Sequence, residues 1–277
     1  MNDKKKNKAV LYIVLSLIAF IWLLPILFMI LTSLKAPGEI ATGNFFGLPK
    51  IPQWSNFYEA WTQGQLGLFM KNSLIIATIK VPLGIFIEAM AAYALTKINI
   101  KSSTKMKTFI FFLIGMTVPV QVIIVPLNVF LINIHLTNSR IGLMLIYLGL
   151  GIPFGIMILR GFFRTIPDSL VEAARIDGCS DFRTLVSIIL PIAKPAIVTL
   201  VILDFLSTWN EFLLSSVFIT KEHLKTIPTG LFGFVGQHTT DYGLLNAAVL
   251  MSVIPVFIVY LVFQKHFIAG LEGSVKG

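Results

Sequence analysis

The sequence predicts an all-α integral membrane protein of six transmembrane helices, and three observations predict it. The first is composition. Of 277 residues, 56% are hydrophobic and only 13% charged, with mean hydropathy +0.86. A soluble domain carries about 25% charge, so lipid must be the solvent for much of this surface. The second is length: six apolar stretches approach the roughly 20 residues that a helix needs to cross a hydrocarbon core of about 30 Å. The third is the side on which the basic residues fall, which alternates from one stretch to the next.

The stretches are residues 9–34, 68–96, 108–132, 139–160, 195–219 and 242–263. The first follows Lys4, Lys5, Lys6 and Lys8. It is longer than the roughly 7–15 residues of a signal-peptide core and no small-residue cleavage site follows, so it reads as a retained helix. Residues 1–8 then form an N-terminal tail, and residues 9–277 a single six-helix domain. The second stretch contains Lys80 and Glu88, and the fifth contains Asp204, Thr208 and Glu211. Pro119 and Pro126 in the third, Pro153 in the fourth and Pro255 in the sixth should kink their helices and free carbonyls.

Orientation follows from Lys and Arg. Fifteen fall on the side of the N-terminus: Lys4, Lys5, Lys6, Lys8; Lys97, Lys101, Lys105, Lys107; Arg160, Arg164, Arg175, Arg183, Lys194; Lys265 and Lys276. Six fall opposite: Lys35, Lys50, Lys71, Arg140, Lys221 and Lys225. Both termini are therefore expected in the cytoplasm, which needs an even number of spans. Outside, residues 33–67 hold Trp54, Phe57, Tyr58 and Trp61 as interfacial anchors, three prolines and a short helix at 56–63. The loop 220–241 holds Gly230, Gly233 and Gly236.

Several classes are excluded or disfavoured. The net charge of +9 comes without a basic stripe, so nucleic acid is not expected as a partner. Cys179 is the single cysteine, so no intrachain disulfide can form. His135, His223, His238 and His266 lack ligand spacing. No G-x-x-x-x-G-K-S/T phosphate loop is present, so the chain is not expected to hydrolyse ATP or bind a cofactor itself.

The segment 161–194 is polar yet reads as structured. Thr165-Ile166-Pro167-Asp168 has the spacing of a capping box. A helix over 169–176 should stop at Asp177-Gly178, where glycine permits the positive φ of a C-cap. Ser180 should cap a second helix, 181–190, ended by Pro191. By periodicity alone this helix-turn-helix is equally a docking element or a solvated connector.

Glu172-Ala173-Ala174, then Gly178, then Ile189-Leu190-Pro191 resembles the EAA loop of ABC importer permeases. The flanks agree: Leu159-Arg160-Gly161-Phe162-Phe163-Arg164-Thr165-Ile166-Pro167 before it, Pro195-Ala196 after. Further segments resemble the maltose-transporter-like sugar permeases of that family. They are Ala91-Ala92-Tyr93-Ala94-Leu95 with Lys97, Val118-Pro119 with Ile124-Val125-Pro126-Leu127, Trp209-Asn210-Glu211-Phe212-Leu213, and Gly270-Leu271, Gly273 and Val275-Lys276-Gly277.

The resemblance implies a type I ABC importer permease bundle in a bacterial cytoplasmic membrane, moving a sugar. It implies a second homologous permease, two ATPase subunits that use ATP and Mg, and an extracytoplasmic sugar-binding protein. The loop Glu172, Ala173, Ala174, Arg175, Asp177 and Gly178 would dock on an ATPase, with Glu172 as ionic anchor, Ala173 and Ala174 as close-packed surface and Gly178 as the turn.

Charge at bilayer depth costs about 2.5–3.5 kcal/mol on insertion scales, so each such residue needs a partner or a wet cavity. Asp204, Thr208 and Glu211 follow i, i+4, i+7, with Ser207, Trp209 and Asn210 alongside. With Glu88 they either line a sugar path, where Trp209 would stack a ring, or bond to neighbouring helices. Two alternatives stand beside this reading: a permease for a non-sugar solute, and an ion-coupled secondary transporter relaying through Lys80, Glu88 and Asp204. The latter should show inverted repeats, and none is visible.

Overall fold

The computed structural model describes the backbone of residues 2–43, 47–236 and 240–275, and their side chains except at 2–7, 9, 41 and 265–275. The side chains of Lys4–Lys6, His266 and the C-terminal matches at Gly270–Val275 lie outside the described residues, as do His238, Lys276 and Gly277 entirely. The described residues are helical and contain no strand. They fall into two compact units, one of residues 1–67 with 230–254, the other of 68–229 with 255–277.

In the first unit, α1 (Asn2–Ser33) is one helix that includes the basic N-terminal stretch. Its apolar run from Val10 to Leu27 is exposed throughout, and Trp22 is 78% exposed. Such a surface needs lipid or another chain over it. The end of α1 leaves orphan carbonyls. Asn56 at the start of α3 (Ser55–Thr62) meets them, donating to the carbonyls of Ser33 (2.8 Å) and Lys35 (3.1 Å), and the Gln53 amide donates to Leu34 (2.8 Å). Between them lies α2 (Pro37–Ala41). Ala60, Leu66 and Ala248 form the small core, with Leu231, Phe234, Leu244 and Met251 against it.

The second unit begins with α4 (Leu66–Thr96), followed by α5 (Ser102–Thr117), α6 (Val120–Asn133) and α7 (Arg140–Phe163). Next come α8 (Asp168–Ile176), α9 (Asp181–Thr184), a π-helical turn (Leu185–Ile189) and α10 (Leu190–Ile192). They lead into α11 (Lys194–Trp209), α12 (Leu213–Phe218) and α13 (Ile227–Phe232), ahead of α14 (Tyr242–Val275). Its core gathers Ile76, Leu131, Leu143, Ile146, Tyr147, Leu214, Phe218 and Ile219.

Among the described residues four helices are long and apolar enough to cross a membrane: Val10–Ser33, Leu66–Thr96, Arg140–Phe163 and Tyr242–Gln264. Up to six spans are reached when two bent pairs each count as one, Ser102–Thr117 with Val120–Asn133 and Asp181–Ile192 with Lys194–Trp209. The third is not a kinked helix but two helices meeting at 99°. Pro119 has no N–H to give and pushes Val118 into an extended conformation (φ −77°, ψ 118°), which ends α5 outright. By contrast α7 and α14 run through Pro153 and Pro255 as single helices. The fifth stretch ends its helix at Trp209 and resumes at Leu213, so 195–219 is not one helix.

The helix-turn-helix of 161–194 forms with two corrections. Thr165 does not cap α8; its hydroxyl donates to the Phe162 carbonyl, and Lys97 takes over that end. The second helix does not stop at Pro191 but runs to Ile192, widened through a π-turn. The Pro191 ring would press on the carbonyl one turn earlier, and the wider turn relieves that. The predicted stop after α8 is present. Gly178 has φ +77°, its N–H donates to Arg175 and that of Cys179 to Ala174, the paired bonds of a Schellman motif. Ser180 accepts from the Arg183 amide and caps α9.

Candidate functional site

Two features of the second unit stand out, a cavity at mid-span and a clamped helix at the end of α4. The cavity encloses about 600 Å³, within the range of small-ligand sites. Lys80 of α4, Gln121 of α6, Tyr147 of α7, Ser207 and Thr208 of α11 and Glu211 supply its polar lining beside Asp204. Val120, Leu150, Phe154, Leu203, Leu213 and Leu214 supply the apolar lining. Both helix breaks open onto it, since Gln121 lies in the first turn after Pro119 and Glu211 in the gap between α11 and α12. Irregular backbone at membrane depth is tolerated where it lines a cavity.

Its charges are mutually engaged. Lys80 forms an ion pair with Asp204, both nearly fully buried. The pairing joins α4 to α11 and was missed from sequence, where Lys80 could be compared only with Glu88 on its own helix. Glu211 accepts from three donors: Tyr147 Oη (2.6 Å) and the amides of Leu214 (2.7 Å) and Ser215 (3.0 Å). Its carboxylate therefore holds early amides of α12 from the position before the N-cap Phe212, and is also a wall of the cavity.

Of the sequence-predicted path residues, Asp204, Thr208 and Glu211 line the cavity. Trp209 does not: it is 3% exposed and stacks on Phe205 with centroids 5.4 Å apart. Asn210 is exposed and donates to the Leu206 carbonyl (2.9 Å). Glu88 lies behind the lining, 2% exposed, with Oε2 lacking a hydrogen-bond partner. It fits because α7 presents Gly155 there; a Cβ on that residue would overlap the Glu88 carboxylate. Gly151, a turn earlier, makes the same room for Lys80 Nζ, which a Cβ would meet at 3.1 Å.

The clamped helix is α8. Lys97, just beyond α4, is buried and donates from Nζ to the Ile166 carbonyl (2.5 Å) and Asp168 Oδ1 (2.6 Å). That hydrogen bond and the ammonium charge hold the Asp168 carboxyl below the usual carboxylate range. At the other end Asp181 accepts from Arg175 (3.2 Å) and Tyr93 Oη (3.4 Å), and Arg175 reaches back to the Lys97 carbonyl (3.5 Å). Both ends of α8 are thus tied to the last turn of α4.

Val171 and Ala174 of α8 are buried against the chain, while Glu172, Ala173 and Asp177 are exposed. Ala174 is thus a packing residue of the chain's own interior, not part of an outward surface beside Ala173. Ile176 is 87% exposed and Phe182 60%. These two apolar residues on a polar loop escaped the sequence reading, although the exposure of Ile176 follows from the 3.6 period of α8 once Val171 and Ala174 are assigned inward.

The sequence model of binding-protein-dependent transport system inner membrane components matches residues 80–272. The chain is 37% identical over 258 residues to the probable ABC transporter permease protein YurM of Bacillus subtilis, covering 91% of this chain and 83% of that one. It is 35% identical over 277 residues to the diacetylchitobiose uptake system permease protein NgcG of Streptomyces coelicolor, covering 99% and 89%. Its fold matches a chain of a bacterial ABC transporter involved in the import of the acidic polysaccharide alginate, with TM-score 0.81, 23% identity and coverage of 96% and 98%.

Proposed function

We propose, from the premise that this chain belongs to the family of binding-protein-dependent transport system inner membrane components, that it is the membrane subunit of a bacterial ATP-driven importer of a sugar or oligosaccharide. The cargo class is supported by the diacetylchitobiose and alginate systems among its relatives, and by a cavity whose hydroxyl, amide and carboxylate groups suit a polyhydroxylated ligand. A second homologous permease would complete the path, an extracytoplasmic binding protein would deliver the sugar, and two ATPase subunits would bind Mg-ATP. Both termini and the loop 161–194 would face the cytoplasm, as the Lys and Arg bias requires.

The observation that supports coupling most directly is the double clamp of α8 to α4. Glu172, Ala173 and Ile176 face outward, where an ATPase groove could seat them, while Lys97 and Asp181 fasten the helix ends. Closure of the ATPase pair on ATP would displace α8, and the clamps would pass that displacement to α4. Lys80, 17 residues along α4 and thus about 25 Å away, would transmit it to α11 through Asp204. The cavity would then open outward to the loaded binding protein, and hydrolysis would reset it.

The test is sugar uptake by the complete complex in proteoliposomes carrying Glu172→Ala or Ile176→Asp. Both side chains are exposed, so the fold should persist while uptake and binding-protein-stimulated ATP hydrolysis fall together. Unimpaired uptake would sink the docking role. Affinity purification of the tagged chain from native membranes should recover an ATPase, a second permease and a solute-binding protein, whose ligand names the cargo. Recovery of the chain alone, with ion-driven uptake, would support the secondary-transporter alternative instead.

A further inference from the structure

Beside the α8 clamp, where α4, α5 and α7 converge, lies a separate cleft of about 190 Å³. Lys105, Arg160 and Arg164 line it, and no acidic residue does. Arg160 is half-buried, yet its guanidinium makes no hydrogen bond to any described residue, and Nε is fully enclosed without a partner. It lies over the face of Phe109, 3.8 Å from the ring centroid. Asp168 and Glu172 line the neighbouring cleft, which shares Lys105, and Asp168 is already held by Lys97. Lys105 donates to the Thr96 carbonyl (3.1 Å), and the three cations, with the five N–H donors of Arg160 among them, suit an anionic group.

We propose that this cleft binds a phosphate group, in the form of the headgroup of an anionic phospholipid of the cytoplasmic leaflet. Guanidinium matches phosphate with paired hydrogen bonds, and basic pockets between spans on the cytoplasmic side are a recurrent headgroup geometry. The apolar side of the cleft favours a lipid over a free ion. Leu95 and Met106 join Thr96 and Ser102 in the rest of its lining, and α5 continues from there with Ile110 and Phe111 exposed, so acyl chains have a surface to follow. The cytoplasmic side rests on the orientation proposed above; the phosphate chemistry does not.

The experiment uses the complete complex, stripped of lipid in detergent and titrated with phosphatidylglycerol or phosphatidylcholine under native mass spectrometry. Wild-type complex should retain phosphatidylglycerol in preference, and inorganic phosphate should compete for it. Lys105→Gln, Arg160→Gln and Arg164→Gln should each weaken retention about fivefold, the scale of one basic residue at an anionic surface. If Arg160→Gln fails to assemble, the exposed Arg164 and the hydrogen-bonded Lys105 are replaced instead, and those two variants decide alone. Protection from thermal unfolding by inorganic phosphate, without phospholipid retention, would keep the phosphate site but make its source soluble, overturning the lipid assignment. Equal retention of both lipids, or undiminished phosphatidylglycerol in assembled variants, would overturn the site. Loss of an ATPase or permease subunit with lipid retention intact would make these cations a subunit contact instead.

Discussion

Replacing Asp204 with Ala should destabilise the assembled complex by about 3–5 kcal/mol, the range for removing one partner of a buried ion pair. Lys80 is 3% exposed and its contact with Asp204 is the ion pair recorded for it among the described residues. A lone ammonium at membrane depth independently costs about 2.5–3.5 kcal/mol on insertion scales, which agrees. Lys80→Met should cost less than Asp204→Ala, because the remaining carboxylate borders a cavity that water can enter. The double variant Lys80→Met/Asp204→Ala should recover much of the loss, leaving a coupling energy of about 2 kcal/mol or more between two residues that touch. Thermal unfolding of the four complexes in one detergent, followed by tryptophan fluorescence, gives the cycle. Additive single losses would refute the pairing, and an Asp204→Ala loss under about 0.5 kcal/mol, typical of a surface site, would refute its burial.

Three further outcomes follow from other contacts. Glu211→Gln replaces one of two acceptor oxygens with a donor, facing two amides and Tyr147; one buried donor goes unmet, and the complex should lose about 1–3 kcal/mol of stability, read as a lowered Tm. Tyr147→Phe should lose less, since both amides keep their acceptor. Lys97→Met should uncouple the transporter, raising ATP hydrolysed per sugar imported, while Lys97→Arg restores the ratio. The Asp168 carboxyl lies below the usual carboxylate range in the folded chain, so its contribution is complete above its ordinary pKa of about 3.9 and is lost only as pH falls through the depressed value. The coupling ratio should therefore show no titration from this pair between about pH 5 and 8, and a midpoint there that vanishes in Asp168→Asn would contradict the clamp.

Much of the fold was legible because lipid imposes length. The first, second, fourth and sixth apolar stretches correspond to helices within a few residues, as do the short helix before Thr62 and the turn at Gly178. What composition does not encode is whether an apolar run is continuous. The stretch 108–132 is apolar throughout, but the backbone chemistry of Val118-Pro119 divides it. The stretch 195–219 is divided because Glu211 can satisfy the first amides of α12 better than the preceding helix can. The polar face of Asp204, Thr208 and Glu211 was visible from spacing, and all three reach the cavity. Trp209 sits beside that face in sequence but turns 100° away on the helix, to Phe205. The Lys80–Asp204 pair could not be read, since it joins residues 124 apart.

The breaks and the buried charges explain one another. An uninterrupted third span and an uninterrupted fifth would leave α4, α7 and α11 packed along apolar faces, and Lys80, Glu88 and Asp204 would have no tolerable environment. The divisions at Pro119 and Glu211 open about 600 Å³ of polar-lined space beside Lys80 and Asp204, while Gly151 and Gly155 bring α7 close enough to enclose Lys80 and Glu88. The same helix that carries Lys80 and Glu88 ends at Lys97 under α8. A continuous α4, pinned to α8, the proposed docking helix, at one end and to α11 by a charge pair at mid-span, is a single-helix route between the two sites. A Gly-Gly insertion between Lys80 and Lys97 should therefore abolish coupled uptake while leaving each clamp able to form. If uptake persisted, α4 would not be the lever, and coupling would have to run directly from α9 and α10 into α11.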